Sequence, residues 1–288
     1  MLRVLERPVS ALVLGDGSRI AVLSDPPQLG DERGLHALPL PVNLRSRAGE
    51  TEQLGIFFGR DYEPRVMGQR QTEQGETAVY WRHLPNGWRD GREEIGQLGG
   101  TVRGALWGVL GTADPELVCR VGAVCIIKRQ SGWTTAPAGP SQRIVTLQDG
   151  LLWGLDSSGI SGIDKHGWSL SIPAPAWSAP TAFWATRDEA WVSTPRELYH
   201  YRAGQWQAVP SPIGEVKSFW GTRPDSIWLA GVGGAAHFDG QGFRLVPLAG
   251  PLNVVRGRSD ADVWFGGEAG LFRVQPAKPE NAARGDGQ

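Results

Sequence analysis

The residues most able to do chemistry are five histidines, and two of them hold equivalent places in the sequence. His200 and His237 each stand six residues before an aromatic residue, Trp206 and Phe243. A metal site needs at least three converging ligands, and the spacing of the histidines suggests no such group. We therefore expect His200 and His237 to help build a repeated unit of the fold, and His166 to lie in a solvated turn.

The carboxylates of the second half of the chain flank apolar runs, where they suit turns. Side-chain oxygens in such places cap backbone N–H groups, which is the role expected of Asp225 and of Asp260–Asp262. A glycosidase would instead need two carboxylates facing each other across a cleft. The chain has no G-x-S-x-G motif, and the GVGG run at 231–234 lacks the helix that a phosphate loop requires. The sequence therefore predicts no catalytic residue.

Four residues are candidates for binding a partner or ligand. Trp177 lies in the run APAPAWSAP, outside the regularly spaced aromatic positions, so it is either an exposed contact or a ring packed over a sheet edge. Trp81 is a second ring on which a sugar could stack. Arg33 and His36 lie in an insertion at 26–53 that breaks the repeat described next. Long loops on a rigid frame often carry binding residues.

A repeated sequence must position these residues. Residues 218–238 align with residues 254–274 at a constant offset of 36, which places Trp228 on Trp264. Upstream copies place Trp191 and Trp153 at the same position, and Val118 holds it in a weaker copy. A period of 35 to 38 residues is typical of stacked repeat architectures.

The first hundred residues contain less regular copies. One extends from Phe57 to Trp88 and carries a second insertion, 69–78. A degraded copy surrounds the run SALVLGDGSRIAVLSD within the first fifty residues. These two copies and five clearer ones favour seven units, with six as the alternative.

Each copy contains four short apolar runs separated by turn residues, a pattern typical of strands. In the clearest copy these runs are Lys217–Gly221, Ser226–Gly231, Ala235–Phe238 and Phe243–Pro247. The pair Asp239-Gly240 before the last run suits a tight turn that needs a positive φ. The chain shows no helical periodicity.

Four-stranded units recurring about every 37 residues are typical of a β-propeller. The sequence predicts an all-β, seven-bladed propeller of antiparallel blades, with six blades as the alternative, in one domain spanning 1–274. The last copy lacks a fourth strand, and residues 2–9 resemble that strand in other copies, so we expect them to complete the last blade. Residues 275–288 are expected to form a flexible polar tail.

The repeated tryptophans are predicted to fill the seams between blades. An indole covers a large area there, provided that its N–H finds an acceptor. This expectation concerns Trp153, Trp191, Trp228 and Trp264.

The units around Trp184–Trp206 and Trp220–Phe243 resemble those of bacterial β-propellers built on a W-x-x-G … DG-x-x-W repeat. The resemblance covers residues 100–274 and is similar in outline to kelch and Asp-box propellers. The Asp-box, the kelch double glycine with its spaced Tyr and Trp, and the Trp-Asp dipeptide are absent from the sequence. The resemblance implies a fold and no particular function, because propellers carry many functions.

Composition excludes several classes of function. With 29 basic and 30 acidic residues the net charge is −1, which does not suit a nucleic-acid binder. No run of about 18 apolar residues occurs that could span a membrane. Glu6 and Pro8 interrupt the place of a signal-peptide core, so a cytoplasmic location is expected, with leaderless export or a trimmed chain as alternatives.

Cys119 and Cys125 flank Gly122, so a hairpin could set them face to face, but two buried thiols are expected.

These observations favour a non-enzymatic binding or assembly module that contacts a protein partner through one loop-bearing rim. No metal or cofactor is expected. A carbohydrate-binding propeller, with Trp177 or Trp81 as the stacking ring, is the first alternative. A hydrolase or lyase with its site at the mouth of the axial channel is the second, and it requires a cluster of acid, base or histidine groups with shifted pKa values.

Overall fold

The computed structural model of the chain describes residues 2–14, 19–31, 33–38, 51–58, 63–72, 75–90, 108–110, 117–121, 124–129, 132–137, 144–148, 151–164, 167–177, 179–248 and 250–274. These residues form strands joined by turns and irregular connections, and they include no helix. Accordingly, no helix among them has the length and apolar character needed to cross a membrane.

The strands in chain order are β1 (Leu2–Leu5), β2 (Ala11–Leu14), β3 (Ile20–Leu23), β4 (Gln28–Asp31), β5 (Gly34–Ala37), β6 (Thr51–Phe58), β7 (Pro64–Thr72), β8 (Gly75–Leu84), β9 (Gly87–Asp90), β10 (Gly108–Leu110), β11 (Leu117–Val121), β12 (Val124–Arg129), β13 (Gly132–Pro137), β14 (Ile144–Gln148), β15 (Leu151–Asp156), β16 (Gly159–Asp164), β17 (Gly167–Pro173), β18 (Ala182–Ala185), β19 (Glu189–Ser193), β20 (Leu198–Arg202), β21 (Gln205–Val209), β22 (Val216–Arg223), β23 (Ser226–Gly231), β24 (Gly234–Phe238), β25 (Phe243–Val246), β26 (Leu252–Ser259), β27 (Asp262–Gly267) and β28 (Gly270–Val274).

These strands form seven four-stranded antiparallel sheets, numbered here in chain order. Sheets 1 to 6 are β2–β5, β6–β9, β10–β13, β14–β17, β18–β21 and β22–β25, and sheet 7 contains β26, β27, β28 and β1. The turns follow the predicted chemistry, since Gly87, Gly204 and Gly240 before the fourth strands all have a positive φ.

The first strand of each sheet contacts the first strand of the next, and β26 of sheet 7 contacts β2 of sheet 1. Such a cycle places the sheets around an axis with their first strands innermost. The chain therefore adopts a β-propeller, as the repeat predicts.

The last sheet takes its fourth strand from the start of the chain. Strand β1 pairs antiparallel with β28, with Leu2 opposite Arg273 and Leu5 opposite Leu271. The predicted pairing is confirmed, although the strand ends at Leu5 rather than at residue 9. The ladder stops there because its partner β28 begins at Gly270, one residue beyond the Leu271 that faces Leu5.

The core lies in the seams between sheets. Trp191 of sheet 5 packs with Ile227 and Leu229 of sheet 6, and Trp264 of sheet 7 packs with Ile20 and Val9, which lie in or next to sheet 1. Both tryptophans are almost fully buried, as are Trp153 and Trp228 in the neighbouring seams. The predicted seam position of the repeated tryptophans is confirmed.

The acceptor expected for each indole N–H is found for one of these four tryptophans. Trp264 Nε1 donates to Asp262 Oδ1 at 2.8 Å. The Nε1 atoms of Trp153, Trp191 and Trp228 have no acceptor in the part of the chain that the structure describes. Burial of the ring therefore stabilises all three positions, and stacking on a histidine adds to it at Trp191 and Trp228.

Neither predicted insertion is a plain loop in its described residues. Strands β4 and β5 of sheet 1 occupy eight of the described residues of 26–53, and residues 69–78 mostly lengthen the β7–β8 hairpin. The prediction of loops rested on the Gly, Pro and charged residues in these segments, which are typical of loops. In the structure, backbone hydrogen bonds with neighbouring strands form strands there instead. Residues 39–50 lie outside the described residues.

Two further predictions concern less well described regions. Cys119 pairs with Ile126, and Arg120 pairs with Cys125, so the two cysteines are one step out of register rather than opposite each other. This register does not place the cysteines face to face, and the expected burial of the two thiols lies outside the described side chains. The predicted tail, 275–288, and His166 lie outside the described residues.

Candidate functional site

The propeller has two ends, and one of them is rich in charge. Turns between first and second strands, and between third and fourth strands, all lie at the same end of the sheets. We call this end the charged rim and define it by turns 31–34, 186–189, 202–205, 222–226 and 258–262. The opposite end carries the turns between second and third strands and the connections between sheets.

Ion pairs within single sheets organise the rim. Arg202 Nε lies 2.9 Å from Glu189 Oε1, and Arg223 Nε lies 2.9 Å from Asp225 Oδ1. Arg223 also reaches sheet 7, since its Nη2 lies 3.9 Å from Asp260 Oδ2. Both guanidinium groups are more than half exposed, so each pair contributes little to stability while presenting donors outward.

Short polar side chains fix the backbone of these turns. Asp31 Oδ1 accepts the backbone N–H of Arg33 at 2.7 Å, and Thr186 Oγ1 accepts that of Glu189 at 3.2 Å. In the turn between β24 and β25, at the same end of the propeller, Asp239 accepts the backbone N–H groups of Gly242 and Gln241, which together lower the pKa of its carboxyl. Such bonds hold a turn in one conformation.

The carboxylates predicted to cap backbone groups at Asp225 and Asp260–Asp262 bond to side chains instead. Asp260 Oδ1 accepts from Ser226 Oγ at 2.8 Å. Asp262 accepts from Arg258, Trp264 and Arg273. Arginine donors are favoured at Asp225 and Asp262 because a bond between two charged groups is stronger than one from a neutral backbone N–H.

His200 and His237 stack on the seam tryptophans of their own sheets. The ring centroids of Trp191 and His200 lie 3.9 Å apart with 7° between the planes, and those of Trp228 and His237 lie 4.1 Å apart. Burial lowers the pKa of both imidazoles, partly opposed by Glu189 at His200 and by Asp260 at His237. A neutral ring suits this packing, which supports the expected building role.

A serine, a histidine and an aspartate do meet, but in the wrong order for nucleophilic catalysis. Ser226 Oγ lies between His237 Nε2, at 3.0 Å, and Asp260 Oδ1, at 2.8 Å. A catalytic triad needs the histidine between the serine and the acid. Ser226 is also buried, and its bonds join sheet 6 to sheet 7. The group therefore connects two sheets.

Within the described residues, no cluster of three or more His, Cys, Asp or Glu side chains could hold a metal ion. His83 contacts Glu63 at 3.2 Å and packs edge-on against Trp88.

Two cavities reach the charged rim. The first, of about 430 Å³, lies between sheets 5 and 6, with Arg202 and Arg223 on its two sides and Phe238 among its lining residues. The second, of about 540 Å³, lies along the outer strands of sheet 1 and reaches the rim through Arg19 and Arg33. We call it the Arg33 cavity. Both volumes are in the range of ligand sites.

The structure separates the four predicted binding residues into two groups. Arg33 and His36 are both exposed and both line the Arg33 cavity. Trp177 and Trp81 are 7% exposed, so neither offers a ring face to a sugar. Trp177 packs edge-on against Trp206 and Tyr199, which realises the second of the two alternatives for it. Its apolar surroundings explain this burial.

Arg19, Arg202 and Arg223 were not among the predicted binding residues. One signal was available for Arg223. The first turn reads Thr-Arg at 186–187 and 222–223, so a basic residue recurs there at the offset of 36. The position of Arg19 beside a cavity depends on how sheets 1 and 2 meet, which the repeat does not reveal.

No protein family model and no curated protein matches the chain. Solved structures do match. A structure described as YCF48 bound to D1 peptide matches with a TM-score of 0.65 at 13% identity, covering 96% of each chain. The WD40 β-propeller domain of Doa1 matches with a TM-score of 0.60 at 10% identity, covering 94% of this chain and 93% of that one.

A third match is an extracellular domain of a putative one-component system, BT4673, from B. thetaiotaomicron. Its TM-score is 0.63 at 12% identity, covering 95% of this chain and 39% of that longer one. At these identities the likeness establishes the fold alone. This chain is thus similar in fold to β-propellers of differing sequence.

Proposed function

We propose that this chain is a non-enzymatic protein-binding propeller with seven blades that engages its partner at the charged rim. Binding is favoured over catalysis because the polar clusters of the described residues serve to hold sheets together. Seven sheets, with first strands that contact one another in a closed cycle, support the number of blades.

The observation that carries the proposal is that both cavities reach the same end of the propeller. Exposed arginine donors and carboxylates surround them there, on turns whose backbones are fixed by side-chain hydrogen bonds. Preformed polar sites on a rigid frame bind without a large ordering cost. The similarity to YCF48, which was solved with a D1 peptide, indicates that a frame of this kind can hold a peptide.

Site-specific photo-crosslinking can test which end is used. A photoreactive amino acid replaces Thr222 or Gln205 on the rim, and Val232 or Arg196 at the opposite end; all four side chains are exposed. After irradiation in the native cell, mass spectrometry identifies the adducts. We expect adducts with one protein from the rim positions. Adducts formed only from Val232 and Arg196 would refute the proposal.

Purified components then test the interaction itself. The Arg223→Glu variant should weaken binding of the identified protein by at least about tenfold, because a hydrogen-bonded charge in an interface is replaced by its opposite. The Arg196→Glu variant makes the same charge change at the opposite end and should bind normally. Equal loss in the two variants would indicate a general charge effect and contradict a rim site.

A further inference from the structure

The Arg33 cavity has charged and apolar residues in one lining. Leu29 on β4 pairs with His36 on β5, and Asp31 pairs with Gly34, so the lining follows the β4–β5 hairpin. Arg19, from the turn before β3, closes it at the rim. Leu38 adds a second apolar side chain. A ligand there would meet positive charge near the rim and leucine farther along the hairpin.

The positive charge of this cavity is incompletely balanced. Two arginines and one aspartate line it, and Arg19 faces the carboxylate of Glu63, so Arg33 carries the positive charge that lacks an acidic side-chain partner. Asp31 Oδ1 already accepts the backbone N–H of Arg33 at 2.7 Å. The guanidinium of Arg33 has no hydrogen-bond or ion-pair partner among the described residues, so its donors are available to a ligand.

Three neighbouring residues that do not line the cavity fix the position of Arg19. Its guanidinium lies 5.6 Å from the centre of the Phe58 ring and 3.9 Å from Glu63, a carboxylate that also contacts His83. Its backbone carbonyl accepts a hydrogen bond from Arg258 Nη2 at 3.0 Å. These contacts restrict Arg19 before any ligand arrives, which lowers the entropic cost of binding.

Glycine keeps one wall of the cavity open. A Cβ placed on Gly34 would meet no atom within 4 Å, whereas a Cβ on Gly30 would lie 2.0 Å from the carbonyl oxygen of Gly34. The backbone of Gly34 has no positive φ that would strain another residue. A larger residue at 34 is therefore compatible with the fold and would occupy the cavity.

We propose that the Arg33 cavity binds a peptide segment of the protein partner, with a carboxylate held by Arg33 and Arg19 and a neighbouring apolar side chain on Leu29 and Leu38. This inference rests on the proposed function and names the chemistry of its partner. A carboxylate fits better than a phosphate because Asp31 opposes a second negative charge. Arginine binds carboxylates with paired hydrogen bonds, which gives geometric specificity.

Four short labelled peptides test this chemistry by fluorescence anisotropy with the whole protein. Each has a leucine on both sides of a central residue, which is glutamate, glutamine, phosphoserine or lysine. We expect the glutamate peptide to bind at least roughly tenfold more tightly than the glutamine peptide, since a charge-assisted hydrogen bond is replaced by a neutral one. The lysine peptide should bind most weakly.

Variants locate the binding. The Arg33→Glu variant should abolish the preference for glutamate over glutamine, and the Gly34→Leu variant should abolish binding of every peptide. The Arg196→Glu variant should bind as the unmodified protein does. Melting temperatures are measured for every variant. A cavity variant that melts as the unmodified protein does is folded, so its loss of preference or of binding is not explained by misfolding.

Several outcomes would overturn the inference. They are equal binding of the glutamate and glutamine peptides, tighter binding of the phosphoserine peptide, unchanged binding in both cavity variants, or no saturable binding up to about 1 mM. The proposed function survives any of these if crosslinks still map to the rim. Crosslinks confined to the opposite end would instead remove the proposed function, whatever the peptides do.

Discussion

Replacing Asp262 by asparagine should destabilise the protein strongly, although the change removes only a charge. Asp262 is 14% exposed and accepts hydrogen bonds from Arg258 Nη1 at 2.9 Å, Arg273 Nε at 2.8 Å and Trp264 Nε1 at 2.8 Å. Asparagine keeps one acceptor oxygen of similar shape, but it replaces the charge that faces Arg258 and Arg273 with a neutral amide.

The expected loss follows from these contacts. Breaking a buried ion pair typically costs about 3–5 kcal/mol, and the acceptor that asparagine retains offsets part of that cost. We therefore expect the free energy of unfolding to fall by about 2–4 kcal/mol. For a chain of this size the melting temperature should fall by roughly 3–7 °C. Asp225→Asn is a matched control, because Asp225 also pairs with an arginine at 2.9 Å but is 63% exposed, so it should cost less than about 1 kcal/mol.

The pH dependence supplies a second test. Burial alone would raise the pKa of Asp262, but the hydrogen bonds from Arg258, Arg273 and Trp264 outweigh it and hold the pKa below 3.8. A carboxyl with a depressed pKa stabilises the fold fully above its unfolded pKa and loses that effect as the pH falls through its folded pKa. The gap between native protein and Asp262→Asn should therefore be largest near neutral pH and shrink below pH 3.8.

Urea unfolding at several pH values, followed by tryptophan fluorescence, measures this gap. A loss no larger than that of Asp225→Asn would refute the view that Asp262 stabilises the last sheet. So would a gap that stays constant as the pH falls, since protonation of Asp262 would then have no effect on stability.

Three further changes test the seams and the ring. Ser226→Ala removes the hydroxyl that joins sheets 6 and 7 and should cost about 1–2 kcal/mol in chemical unfolding, and a neutral result would contradict the bridge. Deleting Leu2–Leu5 exposes the edge of β28, so the melting temperature should fall and size-exclusion chromatography should show association; a stable monomer would count against ring closure. Gly257→Ala places a Cβ 2.5 Å from the Trp220 ring and should cost about 1–3 kcal/mol, whereas Gly242→Ala, with open space around its Cβ, should change stability by less than about 0.5 kcal/mol in the same thermal assay.

The repeated sequence predicted most of the fold because each copy uses the same chemistry. Trp153, Trp191, Trp228 and Trp264 mark the second strand of four sheets, and their spacing alone indicated the seams. The pairing of β1 was predictable because the last copy lacks a strand that the start of the chain can supply. These inferences needed local pattern and a count of strands.

The site was less predictable, since it depends on contacts between copies. Trp177 lies outside the repeat, so its pattern did not reveal that Trp206 and Tyr199 would cover it. Arg33 and His36 were selected because their segment broke the period, although that segment forms strands as well as a cavity wall. The gap beside Gly34 could not be foreseen, because open space is a property of the packed structure.

The pairing of β1 with β28 ties the order of synthesis to the order of folding. Strand β1 precedes every other described strand in the chain, yet it can find its neighbour only after all of them have been made, because β28 spans Gly270–Val274. At typical rates of about 5–20 residues per second, β1 waits for tens of seconds while the intervening sheets assemble. During that interval the nascent ring is an open arc, which closes only after β28 has been made.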